Sequence, residues 1–121
     1  MDMPRKGQKL PHSAPKRTHQ IIYIAGPMTG VKSANRPLFA EAAEALRKIG
    51  YIVLNPGTLP LGMPKDRYMP ICFSMIQAAD IICVLPGHEK SAGASIEVAF
   101  AKYQDKPVVT YGWITGKEVE E

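Results

Sequence analysis

Four short apolar runs, separated by stretches with helical spacing, constrain this 121-residue chain more than any other feature. They are Gln20–Ala25, Tyr51–Leu54, Ile81–Leu85 and Lys106–Tyr111. The first three end in Gly26-Pro27, Asn55-Pro56 and Pro86-Gly87, residues that stop strands and make turns. Apolar residues occupy both alternating faces of each run. Strands of that kind lie inside a parallel sheet covered on two sides. Strand–helix alternation then predicts an α/β fold: a flavodoxin-like or Rossmann-like three-layer sandwich with helices on both faces. The sheet is expected to have four to five parallel strands in the order 2-1-3-4.

The intervening segments carry the helical signals. Leu38, Phe39, Ala42, Leu46 and Ile49 recur at helical spacing, with Asn35 as the expected N-cap, Pro37 in the first turn and Gly50 past the end. Residues 55–66 are rich in Pro and Gly and predict a long loop over the C-terminal ends of the strands, a possible lid. Arg67 to Ala79 reads as helical, with Pro70 expected to restrict its start to about Ile71 and with Met69, Cys72, Phe73 and Ile76 toward the core. A third helix is expected to run from the stretch after Pro86-Gly87 to Gln104.

Composition narrows the class. The chain is 45% hydrophobic and 21% charged, as soluble single domains are. The net charge of +4 comes from the first 20 residues, where five Lys/Arg stand against one Asp. The remainder holds ten of each sign, so the folded body is not expected to bind nucleic acid. Residues 1–19 are read as a disordered basic arm, the one part suited to nucleic acid or an acidic partner. Residues 20–121 are read as one domain. No run has the length of a membrane span, and the charged N-terminus, lacking an apolar h-region, is not expected to act as a secretory signal. Cys72 and Cys83 fall in apolar segments, which predicts buried thiols in a reducing, cytoplasmic setting. Three scattered histidines offer no metal spacing, and neither metal nor organic cofactor is expected.

The chemistry concentrates in Ser91-Ala-Gly-Ala-Ser-Ile-Glu97, where the third strand hands over to a helix. Small residues there, Gly93 among them, let a ligand approach the backbone, and free amides at a helix start favour anions. Glu97 lies one to two turns in and can face what those amides hold. A Glu near a helix start also suits the helix dipole with no function at all. In a 2-1-3-4 sheet, however, the switch point lies between strands one and three. There the loops Gly26–Gly30 and Pro86–Gly93 meet in one crevice. The first loop lacks GxGxxG spacing, so no dinucleotide fingerprint is read.

Ile22-Tyr-Ile-Ala-Gly-Pro-Met-Thr-Gly30, Asn35, Phe39, Ala79-Asp80, Leu85-Pro-Gly87 and Ser91-x-Gly-x-x-x-Glu97 together resemble the nucleoside 2-deoxyribosyltransferase superfamily. Within it the chain is most similar to the short phage and bacterial branch labelled DUF4406. The superfamily includes 2′-deoxynucleoside 5′-monophosphate N-hydrolases. The resemblance covers about residues 20–111. It implies that Glu97 is the nucleophile on the anomeric carbon of a deoxyribosyl group and that Tyr23 orients its carboxylate. It implies substrate contacts from Gly26, Pro27, Met28, Asn35, Asn55, Gly87, Ser91 and Gly93. Ionisation of Glu97 is expected to be favoured by the helix start. Ser91 stands where the nucleoside transferases carry Asp and the monophosphate hydrolases carry Ser. The expected substrate is therefore a nucleotide, with water favoured as acceptor over a second base.

Two departures qualify this. Cys72 occupies the place of a family Asp, and the 26–30 loop lacks the hydrolases' Ser and Arg, leaving Lys32, Arg36 or Lys90 to supply positive charge. The alternatives are a deoxyribosyltransferase, a non-catalytic nucleotide-binding protein or, on weaker grounds, a phosphoribohydrolase. For Asn55 a turn-forming role competes with base contact, for Ser91 a helix cap, and for Tyr23 simple packing. The resemblance implies a homodimer or higher homo-oligomer, with Tyr111 and Trp113 as candidate interface residues.

Overall fold

The computed structural model describes residues 19–116 of the 121. The basic arm expected at 1–19 therefore lies almost wholly outside the described residues. Four parallel strands form the sheet: β1 (Ile21–Ala25), β2 (Ile52–Leu54), β3 (Ile81–Val84) and β4 (Val108–Thr110). Their order is β2-β1-β3-β4, as the alternation pattern predicts. Helices α1 (Arg36–Ile49), α2 (Lys65–Ala78), α3 (Ala92–Tyr103) and the short α4 (Tyr111–Thr115) complete the fold.

Alternation along the strands sorts the core into two layers. Ile22, Ile24, Ile81, Cys83 and Val109 face one side and pack with Phe39, Ala42, Ala43 and Leu46 of α1 and with Trp113 of α4. Tyr23, Ala25, Ile82 and Val84 face the other and pack with Cys72 and Ile76 of α2 and Ala101 of α3. This is the expected three-layer sandwich. Burial of these apolar side chains, at about 25 cal/mol per Å², is what holds the layers together. Cys72 and Cys83 are both buried and unpaired, on opposite faces of the sheet.

Four local expectations are corrected. Helix α2 begins at Lys65, not near Ile71, so Pro70 lies inside it. Proline there removes one N–H from the helix, but Cys72 and Ile76 on the same helix are anchored in the core, and that packing carries the turn before it. The loop over the strand ends is correspondingly shorter and contains a 3₁₀ turn at Pro56–Thr58. Asn35 makes no side-chain cap on α1 and adopts left-handed φ/ψ. Trp113 is buried in the chain's own core and so is not interface surface. Among the described residues no helix is long and apolar enough to cross a membrane.

Candidate active site

The loop after β3 is shaped by Gly87, whose φ of 86° is a left-handed value that glycine adopts without strain. A 3₁₀ turn at His88–Lys90 follows, and Ser91 then caps α3, its Oγ accepting from the Ala94 amide at 3.2 Å. The cap fixes the first turn of α3 and so the direction in which Glu97 leaves it. Glu97 points back to the sheet, where the Tyr23 hydroxyl donates to its Oε1 at 3.0 Å. These two residues are 74 positions apart in the chain. Tyr23 sits in mid-strand on β1, paired with Leu54 on one side and Ile82 on the other, so its ring is locked within the sheet. Cys72 of α2 is the third member: it lies in the same buried cluster as Tyr23, and its thiol is electrostatically coupled to both Tyr23 and Glu97. Three elements thus converge on one carboxyl.

The electrostatics correct the expectation that the helix start keeps Glu97 ionised. Burial pushes the Glu97 carboxyl up to about 7, although hydrogen bonds from Tyr23 and Cys72 pull it back down. Desolvation wins because a helix-terminal dipole is worth at most a fraction of the cost of burying a charge. Burial likewise lifts the Cys72 thiol to about 11, with the Glu97 charge adding to the rise. Tyr23 is raised well above the usual phenol value, first by burial and then by the Glu97 charge. The cluster is therefore a carboxyl raised toward neutrality, which accepts a hydrogen bond from a neutral phenol and sits beside a neutral thiol. A carboxyl poised near 7 can serve as nucleophile or as proton carrier.

The loop after β1 lies beside this cluster. Gly26 makes a close approach, but to protein: a Cβ there would stand 3.0 Å from Cβ of Leu85. Pro27 borders Gly87, whose added Cβ would stand 3.5 Å from the proline Cγ, so the two glycine-marked loops do meet. The Pro27 carbonyl accepts from Nδ2 of Asn35 at 2.9 Å, tying the loop to the start of α1. Met28 packs on the α1 side of the sheet, away from the Tyr23 layer. Ser33, Ala34 and Asn35 hold left-handed φ of 56°, 53° and 60° in succession. Non-glycine residues in that region cost about 1–3 kcal/mol each, and such strain gathers at functional sites.

Asn55 takes the turn-forming role: its Oδ1 accepts from the Gly57 amide at 2.7 Å in a buried turn. Gly93 faces open space, with nothing within 4 Å of a Cβ placed on it. The structure thus joins Glu97 to Tyr23, and separately joins Gly87 to Pro27 and Pro27 to Asn35, with Ser91 and Gly93 at the start of the helix that carries Glu97. Met28 and Asn55 are turned to other duties. The residue whose contact sequence reasoning missed is Cys72. Its helical spacing marked it as core, and only the fold shows that this core position touches Glu97. Among the described residues no three of His, Cys, Asp and Glu are gathered so as to hold a metal ion.

Fold and geometry together define an open parallel α/β domain in which a desolvated carboxyl, Glu97, meets the Tyr23 hydroxyl of the central strand β1. The chain belongs to the family described as Domain of unknown function (DUF4406), which it matches over residues 20–110. No curated protein matches it.

Proposed function

We propose that this chain cleaves the N-glycosidic bond of 2′-deoxynucleoside 5′-monophosphates, as its resemblance to the nucleoside 2-deoxyribosyltransferase superfamily suggests. The observation that carries the reading is the Tyr23–Glu97 hydrogen bond of 3.0 Å, which holds a desolvated carboxyl where open sheets bind ligands. Ionised Glu97 attacks C1′ and the C1′–N bond breaks, its electron pair leaving with the base, which takes a proton from solvent. Water then attacks C1′ and gives up a proton to solvent, the C1′–O bond to Glu97 breaks, and 2-deoxyribose 5-phosphate departs with the carboxylate regenerated. A base in place of that water makes the same site a transferase. Ser91, neutral at the α3 start, accommodates a phosphate that a carboxylate there would repel. Exposed Ile96 and Tyr103 on α3, at 50% and 84% exposure, support assembly with further copies of the chain.

One observation favours a second reading. Cys72, lifted to about 11, is a poor acid for a departing base, and a site lacking an acid suits a nucleotide-binding module. The discriminating assay is base release from deoxynucleoside monophosphates and deoxynucleosides, with and without a second base. Release from monophosphates without acceptor supports hydrolysis, and release only with acceptor supports transfer. Tight binding with no release from any substrate sinks the enzyme reading.

The pH profile gives a sharper check. Glu97 must be ionised to attack, so kcat/KM is expected to rise with pH to a plateau above about 7. Tyr23→Phe keeps the buried ring but removes a hydrogen bond that favours the ionised carboxyl. It is expected to move the rising limb to higher pH and to slow the reaction at neutral pH roughly 10- to 100-fold. An unmoved limb in that variant would separate Tyr23 from the chemistry.

A further inference from the structure

The ladder between β1 and β3 stops at a proline, and a histidine takes up the carbonyl left over. Leu85, just past β3, donates its amide to the Ala25 carbonyl at 2.8 Å. In a parallel pair the carbonyl of that same residue accepts from the residue two further along the neighbouring strand, which here is Pro27. Proline has no N–H to give. The Leu85 carbonyl, facing β1, is left to His88, which folds back through the left-handed turn at Gly87. This carbonyl accepts from the His88 amide at 3.2 Å and stands 3.0 Å from Nδ1 of the His88 ring.

That contact sets the chemistry of the ring. A carbonyl only accepts, so Nδ1 carries a proton and Nε2 is the nitrogen that gains or loses one. Glu89 approaches the same side, its Oε2 standing 4.0 Å from Nδ1. Nε2 has no hydrogen-bond partner among the described residues. The side chain is 25% exposed, which leaves it open to a ligand. His88 is also tied to the helix that carries Glu97: its carbonyl accepts the amide of Ser91, the cap of α3, at 3.1 Å. Both ends of this segment return to β1, Glu97 through the Tyr23 hydroxyl and His88 through the carbonyl that faces Pro27. Neither neighbour of Glu97 is an acid suited to neutral pH, since burial lifts Cys72 to about 11 and Tyr23 well above the usual phenol value.

We propose that His88 is the general acid for the departing base, donating its proton from Nε2. This rests on the glycosidase reading above and replaces solvent as the proton source. As the C1′–N bond breaks, its electron pair goes to the base and the Nε2 proton passes to the base. The water that next attacks C1′ returns a proton to Nε2, so the ring ends the cycle as it began it.

The test compares two leaving groups on the full chain: the base of the best deoxynucleoside monophosphate substrate, and the nitrophenolate of 4-nitrophenyl 2-deoxyribofuranoside 5-phosphate, which departs without a proton. His88→Asn keeps a donor where Nδ1 stands and removes Nε2, while His88→Gln puts near Nε2 an amide that cannot transfer a proton. Both are expected to slow base release roughly 10²-fold in kcat and to leave nitrophenolate release within about twofold of wild type. With this acid in play, the pH plateau expected of Glu97 alone belongs to the nitrophenyl substrate, and base release falls again at higher pH as the ring loses its proton. Equal losses on both substrates would make His88 only a support of the loop between β3 and α3 and overturn the proposal. So would base release unchanged in both variants. Nitrophenolate release by wild type without base release would uphold the chemistry at Glu97 and overturn the acid. Release of neither would remove the glycosidase reading and the role of His88 with it.

Discussion

Glu97→Gln is expected to abolish base release and, at pH 8, to make the protein more stable. The loss should be about 10³-fold or more in kcat, because an amide cannot form the glycosyl ester. The gain follows from linkage. Folding raises the Glu97 carboxyl from 4.5 to about 7, so the folded state binds this proton more tightly than the unfolded chain does. Below about pH 4.5 both states are protonated and nothing is lost. Between 4.5 and 7 the unfolded chain ionises first, and stability falls as pH rises. Above about 7 the penalty is constant, on the order of 3 kcal/mol. Glutamine removes the buried charge while its carbonyl can still accept the Tyr23 hydroxyl. The melting temperature of the variant should therefore exceed that of wild type by several degrees at pH 8 and match it at pH 4. Activity bought with stability is the mark of a residue kept for function. A variant that melts lower than wild type at pH 8 would mean that Glu97 is a structural partner of Tyr23. Retained turnover would remove it from the chemistry altogether.

The fold was legible because its information is local and redundant. Each strand announces itself through residues apolar on both faces, such as Ile22 to Ala25, and the order of a short parallel sheet follows from handedness and connection rules. The position of Glu97 was legible for a related reason: a strand, a small-residue loop and a helix start together mark one edge of the sheet. What was not legible was set by tertiary contact. Pro70 is a local stop signal overruled by the anchoring of Cys72 and Ile76. Asn35 has cap chemistry, but its amide donates to the Pro27 carbonyl instead, in a run of left-handed residues that begins at Ser33. The raised carboxyl of Glu97 depends on burial beneath neighbours from β1 and α2, which no window around residue 97 contains. Cys72 shows the same limit: helical spacing places it inward without saying which inward neighbour it meets.

The largest expected change in specificity comes from Ser91→Asp. Its value as a test is that the fold should not notice it. Ser91 caps α3 by accepting from the Ala94 amide, and aspartate caps a helix as well as serine does. A carboxylate at this end of α3 also suits the helix dipole. Thermal stability should therefore stay within about 0.5 kcal/mol of wild type, and Glu97, six residues further along the chain, should keep its bond to Tyr23. What changes is the charge beside Gly93, whose surroundings are open. A phosphate dianion brought against a fixed carboxylate costs several kcal/mol in a partly dehydrated crevice. Monophosphate cleavage should fall roughly 10²- to 10³-fold in kcat/KM. Deoxynucleosides carry no such charge, and an aspartate can accept a hydrogen bond from their 5′-hydroxyl, so their cleavage should hold or rise. Parallel assays on a monophosphate and its deoxynucleoside read the ratio directly, with a melting curve confirming the cap. An unchanged ratio in a folded variant would place the phosphate away from Ser91 and leave that residue with capping alone. A reversed ratio would identify one hydroxyl at the start of α3 as the determinant separating nucleotide from nucleoside, with the chemistry at Glu97 common to both.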